Sequence, residues 1–554
     1  MADGKSTRRN LLKTAAIATG AAVGAAVPGA AHADPGTPPG HSGEDLLLFN
    51  GRIYTVDAHD SVTTSVLIRD GRFVAVGDNA ASQANHPRTI NLRGKAVIPG
   101  IIDAHNHIVL VGNRPGYHVP LEDAYSLDDI YRLYQERRKV VPPGQFITTI
   151  GDVSPMHIFP EHRLPTLAEL DAAIPDRPVY INPASGASTT NSLGKAFFES
   201  APLPATVAAD GTIPTGAAGQ GRAVLALRQA FLTPESRERG ALDALQHYVR
   251  LGTTTHLDQG AFQASNTPAD GIAYEDNYTM YDPFLALHDK GLMPARLRFN
   301  YLHQDTDPSA PLWTKRLQNA FKFFGDDMMR SGAAGEFLSD PYQGGPAFIA
   351  AATKVAQAGW RAEVHSLTVS DFQSQIQSFE QVNAIAPITD LRWVIAHAPF
   401  ITADYVARLK ALGGGLVLRG SGYISAQNGP PFRMVLDSGI HLGLHSDGGD
   451  IAPINPWIHL YYAVTGKNAL GTVMIPGQQI TRAEALRLFT AANKWFLQED
   501  DLGSIEAGNH ADLVVLDNDY FTVDEEQIKH ISPVLTMVAG EIVHDTGELT
   551  GHPK

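Results

Sequence analysis

Short apolar runs alternate with longer stretches of mixed polarity over most of the chain. Ile101–His107, Pro178–Asn182, Thr253–Asp258, Arg296–Leu302, Ala320–Phe324, Arg361–His365, Arg392–His397, Gly415–Leu418 and Ile440–Asp447 have the length and composition of buried strands. Pro234–Arg250, Tyr281–Lys290 and Ala403–Leu412 carry helical patterns between them. Repeated strand–helix alternation predicts an α/β architecture with parallel strands, and the (β/α)8 TIM barrel is the commonest large closed form. Nine candidates compete for eight places, so at least one is surplus. Both chain ends have a different texture. Leu46–Val56, the two runs around Asp70-Gly71, Ala511–Leu516 and Val534–Val543 alternate as short strands and hairpins do. They predict a small β-sandwich built from the two termini, residues 44–97 and 501–549, flanking a barrel over 98–500. The stretch from about 112 to 245 is longer than barrel units need and predicts an insertion over the active-site face.

The first 33 residues read as a twin-arginine signal peptide. Arg8-Arg9 sits in a basic start, an Ala/Gly-rich apolar segment runs from Thr14 to Val27, and Ala31-His32-Ala33 fits a cleavage site. Residues 34–43, rich in Pro and Gly, read as a linker. The expected destination is secreted or periplasmic, reached through the twin-arginine export machinery, with no stable membrane anchor. The formal net charge of −15 argues against a nucleic-acid partner and for a small-molecule substrate. Removing the leader takes away four basic residues and one acid, so the mature chain is more acidic still. Cysteine is absent, which excludes disulfides and thiolate as ligand or nucleophile. An oligomer is compatible with all of this.

Candidate chemistry gathers at the strand ends. Asp103, His105 and His107 share one parity and would line one side of one strand. Two imidazoles projecting together can hold a divalent metal. His365, His397 and Asp447 close three other candidate strands, and the C-terminal strand ends of a (β/α)8 barrel form its catalytic face. His441, Gly443, His445 and Asp447 also share a parity and should face the interior, with His445 below Asp447, where it fits a core histidine or an orienting one. Oxygen and nitrogen donors without thiolate suit zinc, manganese, iron or cobalt.

The chain resembles the metal-dependent amidohydrolases, in the branch (amidohydrolase family 3) that includes N-substituted formamide deformylase. The resemblance is carried by Ala96–His107, Leu251–Thr255, His445-Ser446-Asp447 with Asn455-Pro456, and Gly503–Leu516. It implies one or two divalent ions, zinc first. His105, His107 and Asp447 would hold one ion, and His365 and His397 the second. It further implies a bridging carboxylated lysine, for which Lys322, between Phe321 and Phe323, is the best match. Burial would favour its neutral amine and hence carbamate formation. The implied reaction is hydrolysis of an amide, formamide or cyclic amide by metal-activated water, with Asp447 as general base and then acid. Deamination, ester hydrolysis and a non-catalytic binding role are the alternatives. Three departures stand out: Ala187 where relatives carry histidine, His365-Ser366-Leu367-Thr368 where relatives follow the strand-five histidine with Ala-Ile-Gly-Asp, and Ala396 where they carry glutamate. They imply retained metal chemistry with altered substrate choice.

Overall fold

The computed structural model describes residues 44–122, 124–151, 160–260, 279–303, 307, 309, 311–424, 428–449 and 452–553. The signal peptide and linker expected over 1–43 lie outside the described residues.

Eight strands carry the middle of the chain: β1 (Ile101–Asn106), β2 (Thr253–Asp258), β3 (Arg296–Tyr301) and β4 (Met329–Ala334), then β5 (Glu363–Ser366), β6 (Val394–His397), β7 (Gly415–Leu418) and β8 (His441–Leu444). They form two four-stranded parallel sheets, each in sequence order. A parallel bridge between Ala334 and Ala362 joins β4 to β5. At the other edge the Asp447 amide donates to the His105 carbonyl at 3.0 Å. Asn493 Nδ2 donates to the carbonyls of Ile102 and Leu444, tying β1 to β8. Helices lie between the strands and start on side-chain caps. Thr368 and Asp371 form a reciprocal capping box for Val369–Ile385, directly after β5, which gives the departure at Thr368 a structural use. Asn455 caps Pro456–Thr465 from the segment after β8.

Two expected strands stand elsewhere. Ala320–Phe324 is not a strand; Phe321 and Phe324 are exposed. The fourth strand is Met329–Ala334, whose Ser331, Gly332 and Ala333 give little apolar signal. A Cβ at Gly332 would stand 2.6 Å from Asn300 Oδ1, so small residues are required where β3 and β4 meet. Val179–Asn182 belongs to a separate five-stranded sheet with Tyr117–His118, Ile147–Ile150, Ser188–Thr190 and Thr212–Ile213, all between β1 and β2.

Two further sheets are built from the chain ends, one from both ends and one from the N-terminal end alone. Leu513–Leu516, Pro533–Val538 and Glu541–Asp545 join Ala96–Pro99, Arg52–Tyr54 and Val62–Thr63 in a six-stranded sheet. A four-stranded sheet holds Leu46–Phe49, Val66–Arg69, Arg72–Val76 and Arg88–Asn91. Leu48, Ile68, Phe73, Val97, Leu513, Val515 and Met537 pack in one core drawn from both.

Candidate metal centre

β1 and the residue after it deliver two histidines, but Asp103, of the same parity, does not join them. Ile102 and Ala104 pack with Leu257, Val394, Ala396 and Val417 in an apolar cluster. Asp103 stays out of the histidine cluster: it accepts from the Ser446 hydroxyl at 2.5 Å and the Ser446 amide at 3.0 Å. The register between β1 and β2 shifts between His256 and Asp258. Beyond that shift, His105 and His107 both turn toward Glu336 and Asp447.

His105, His107, Glu336, His365, His397, His445 and Asp447 form three overlapping groups, and the potential ligand atoms within each lie within 4.8 Å of one another. His105 Nε2 lies 3.3 Å from Asp447 Oδ1 and 3.4 Å from Glu336 Oε2. His107 Nε2 lies 3.3 Å from Asp447 Oδ1 and 3.4 Å from Glu336 Oε1. On the far side, His365 Nδ1 is 2.9 Å and His397 Nε2 3.4 Å from Glu336 Oε2. Glu336 therefore stands between the two histidine pairs.

Lys322 does not. Its side chain is exposed, and its ammonium donates to the Gly359 carbonyl at 2.6 Å. Of the expected apolar neighbours, Phe321 is exposed and Phe323 is only half-buried, so they do not supply the burial that would lower its proton affinity. Glu336, two residues beyond the true fourth strand, stands between the histidine pairs with a ready-made carboxylate. Placing the strand at Ala320–Phe324 left Glu336 away from any expected strand end.

Hydrogen bonds fix which imidazole nitrogen is available. Glu363 accepts from His105 Nδ1 at 2.6 Å, and Arg361 donates to the other Glu363 oxygen at 2.5 Å. The Gly260 carbonyl accepts from His107 Nδ1 at 2.7 Å. A carbonyl only accepts, so Nδ1 carries the proton and Nε2 presents a lone pair. Gly260 is itself held by Asp258 at the end of β2, which accepts from its amide, from the Val109 amide and from the Tyr281 hydroxyl. Burial pushes the Asp258 carboxyl up to about 6. His445 Nδ1 donates to the His105 carbonyl at 3.2 Å, leaving Nε2 buried without a partner among the described residues. His441, of the same parity, is exposed instead and stacks on Trp495.

Backbone geometry sharpens the convergence. His397 and Asp447 have φ of 69° and 57°. Such left-handed turns on non-glycine residues cost about 1–3 kcal/mol each and persist only where surroundings impose them. Here they swing side chains off β6 and the end of β8 into one cluster.

Burial opposes charge on both carboxylates, but His365, His105 and His397 outweigh it at Glu336, and Arg419 and His397 at Asp447. Both carboxyls are held well below their usual range. Burial likewise opposes a charge on His107, but Asp447 and Glu336 lift it to about 9, while burial alone dominates His397 and takes it down to about 3. The field that favours a proton on His107 favours a cation. His105 Nε2 and His397 Nδ1 are buried and lack hydrogen-bond partners among the described residues. Orphaned imidazole nitrogens around ionised carboxylates are the donor set of a zinc-type site, and the residues fit a divalent ion.

Ala396, one departure from the family pattern, is buried in the apolar cluster, and Ala187 lies in the exposed turn between Val179–Asn182 and Ser188–Thr190. Sequence reasoning did not single out Glu336, Glu363, Arg361, Asp258 or Arg419, whose buried guanidinium contacts Asp447.

The amidohydrolase family profile matches residues 88–544. N-substituted formamide deformylase of Arthrobacter pascens is 24% identical over 551 residues, covering 90% of this chain and 98% of that protein. An uncharacterized metal-dependent hydrolase of Pyrococcus furiosus superposes with a TM-score of 0.58 at 20% identity, covering 86% of this chain and all of that one. Atrazine chlorohydrolase TrzN of Arthrobacter aurescens TC1, solved with zinc, gives 0.54 at 16% identity over 91% of this chain and 96% of its own. The chain belongs to the amidohydrolase family, hydrolases acting on carbon–nitrogen bonds.

Proposed function

We propose that this chain is an exported, metal-dependent hydrolase of a small amide, formamide or cyclic amide. Its eight parallel strands form a closed (β/α)8 barrel with the site at the C-terminal mouth, and its two terminal sheets form a β-sandwich. The observation that carries the reading is the meeting of four histidines and two ionised carboxylates, each from a strand end or the residues just beyond it.

His105, His107 and Asp447 would hold one cation, His365 and His397 a second, with Glu336 between them. Zinc is the first choice, as the donor set is nitrogen and oxygen without sulfur. Bound cations supply Lewis acidity, which lowers the pKa of water and polarises a carbonyl. Asp447 takes the proton from the attacking water and returns it to the departing nitrogen, which is a poor leaving group as an anion. Glu363 and Asp258 hold His105 and His107 in the required tautomers. The deformylase likeness supports an N-substituted formamide as the first substrate to try, and the departures from the family pattern support a changed preference within that class.

The test is elemental analysis of the purified protein together with formate and amine release from N-substituted formamides. One or two ions per chain and formate release are expected. Asp447→Asn is expected to lower kcat by about 10²- to 10⁴-fold. A metal-free protein that releases no amine from any amide would sink the reading. For export, the mature N-terminus should follow Ala33, and replacing Arg8 and Arg9 with lysine should stop processing.

A further inference from the structure

The helix Pro234–Arg250, just before β2, works on two faces. Ala241, Leu245, Tyr248 and Val249 join an apolar core with Ile108 and Phe284. Gly240, Asp243, Ala244, His247 and Arg250 recur at intervals of three and four, the stripe of one helix face, and this stripe lines a cavity of about 340 Å³. Residues from 114 to 122 and the helix Leu127–Arg138, all between β1 and β2, form the opposite walls. No residue of the metal cluster is in the lining. A volume of this order is that of a small-ligand site.

The polar lining is charged and incompletely paired. Glu122 is 2% exposed. One of its oxygens accepts from His247 Nε2 at 2.5 Å, and the other, Oε2, is buried with no hydrogen-bond partner among the described residues. A buried carboxylate oxygen without a donor is costly, and a ligand in the cavity can supply that donor. Asp243 accepts from Arg137 Nη2 at 2.6 Å and also acts on Arg250. Burial pushes the Arg250 guanidinium below its ordinary value, against the pull of Asp243, and the Arg137 charge adds to the push. Arg137 Nε is buried without a partner among the described residues. Glu136, a further acid of the lining, is taken up by Lys139 at 2.6 Å. Two guanidiniums thus draw on one carboxylate, which leaves room for another anion.

The two unmet demands lie close together. Glu122 is held at His247 and Arg137 at Asp243, positions four apart on one helix, which puts their Cβ atoms about 5–6 Å from each other. That is the scale of an ammonium and a carboxylate on one carbon, each with its hydrogen bond. A cation alone would meet Arg137 and Arg250, and an anion alone would leave Glu122 Oε2 unanswered. Val119, Leu133 and Val140 line the remainder and suit an aliphatic group.

We propose that this cavity is a second binding site, separate from the metal centre, for an α-amino acid with an aliphatic side chain. The ammonium donates to Glu122 Oε2, and the carboxylate accepts from Arg137 beside Arg250. The site does not depend on the hydrolytic reading above.

The test is isothermal titration of the full purified chain, metal-loaded and after stripping with a chelator. The probes are L-leucine and its two halves: 3-methylbutylamine, which lacks the carboxylate, and 4-methylpentanoate, which lacks the ammonium. Leucine should bind once per chain, equally with and without metal, and each half about tenfold or more weakly, the size of a lost charge-assisted hydrogen bond. Glu122→Gln and Arg137→Met should each weaken leucine by a similar factor with metal content unchanged. R137M should not weaken the residual binding of the amine, nor E122Q that of the acid, which general damage to the cavity would do. The Arg137 side chain is partly exposed, so R137M should fold even where E122Q does not. No saturable leucine binding at millimolar concentration, equal affinity for either half, or undiminished binding in a folded variant would overturn the site. Loss of binding on stripping would overturn it too, because it would put the amino acid at the metal centre.

Discussion

His105 can offer Nε2 because its other nitrogen is committed, and that commitment runs two residues deep. Glu363 takes the Nδ1 proton, and Arg361, 1% exposed on its side chain, holds Glu363. Carboxylates behind ligating histidines raise ligand basicity and fix the ring, and losing one costs about 10- to 100-fold in metal affinity. Glu363→Ala should weaken metal binding by that order in a competition titration with a coloured chelator. Full retention of affinity would show that ring packing alone orients His105. The bridging place gives a second contrast. Glu336→Gln keeps the volume of the side chain but removes its charge, and should lower the number of ions retained through gel filtration. Lys322→Ala should change neither metal content nor turnover, since its ammonium donates to the Gly359 carbonyl, away from the histidine cluster. A loss of metal in the lysine variant would reverse the assignment of the bridge.

Elements are bound to one another by buried charge as well as by apolar packing. On β3, Arg296 pairs with Asp512 through two hydrogen bonds of 2.8 and 3.0 Å, both side chains nearly inaccessible. Asp512 also accepts from the Ala539 amide. Removing one member of such a pair leaves a buried charge uncompensated and costs about 3–5 kcal/mol. Asp512→Ala should lower the free energy of unfolding by that amount in a urea titration. Burial opposes the Asp512 charge, but Arg296 outweighs it and holds the carboxyl below its usual range. Its folded-state pKa is thus depressed, so its contribution is whole above about pH 4, the ordinary carboxylate value, and is lost as pH falls through the lower folded value. The gap between wild type and variant should narrow in acid; a gap constant down to pH 2 would remove Asp512 from the acid sensitivity. Asp512 was legible in the sequence only as part of a family motif, with no hint of its partner more than 200 residues away. β1, β2, β3, β5, β6 and β7 were legible because apolar runs of strand length bound them. β4 was not, because close approach to β3 selects Ser, Gly and Ala, which look like a loop. That single displacement also hid Glu336 and promoted Lys322. Glu363 and Arg361 stood within a correctly expected strand, yet buried charges there give no signal until their partners are known.

At the scale of the whole molecule, the terminal sheets and the metal centre are coupled through one short joint. Ala96–Pro99 pairs with Leu513–Leu516 and, after Gly100 alone, becomes β1 with His105. The Gly100 amide donates to the Asp512 carbonyl at 2.9 Å, and the Ile101 amide to the Gly252 carbonyl at 3.1 Å. There is no room for a side chain at this joint: a Cβ on Gly100 would stand 2.2 Å from Thr254 Oγ1 and 2.7 Å from Thr254 Cγ2. Gly100→Ala must therefore displace either β1 or the start of β2, and overpacking of this kind costs about 1–3 kcal/mol. Moving β1 moves His105 and His107 together, whereas His365 and His397 hang from β5 and β6 and stay in place. The expected outcome is a protein that remains folded by circular dichroism, melts several degrees lower, and loses one ion before the other when chelator is added. A companion chain ending at Asp500 lacks all three C-terminal strands of the six-stranded sheet and uncovers Val97 and Ile98. It should be insoluble or bind no metal at all. If the truncated chain melted cooperatively with its full complement of ions, the terminal sheets would be an appendage, and the strain at Gly100 would have to act on β1 directly through Thr254.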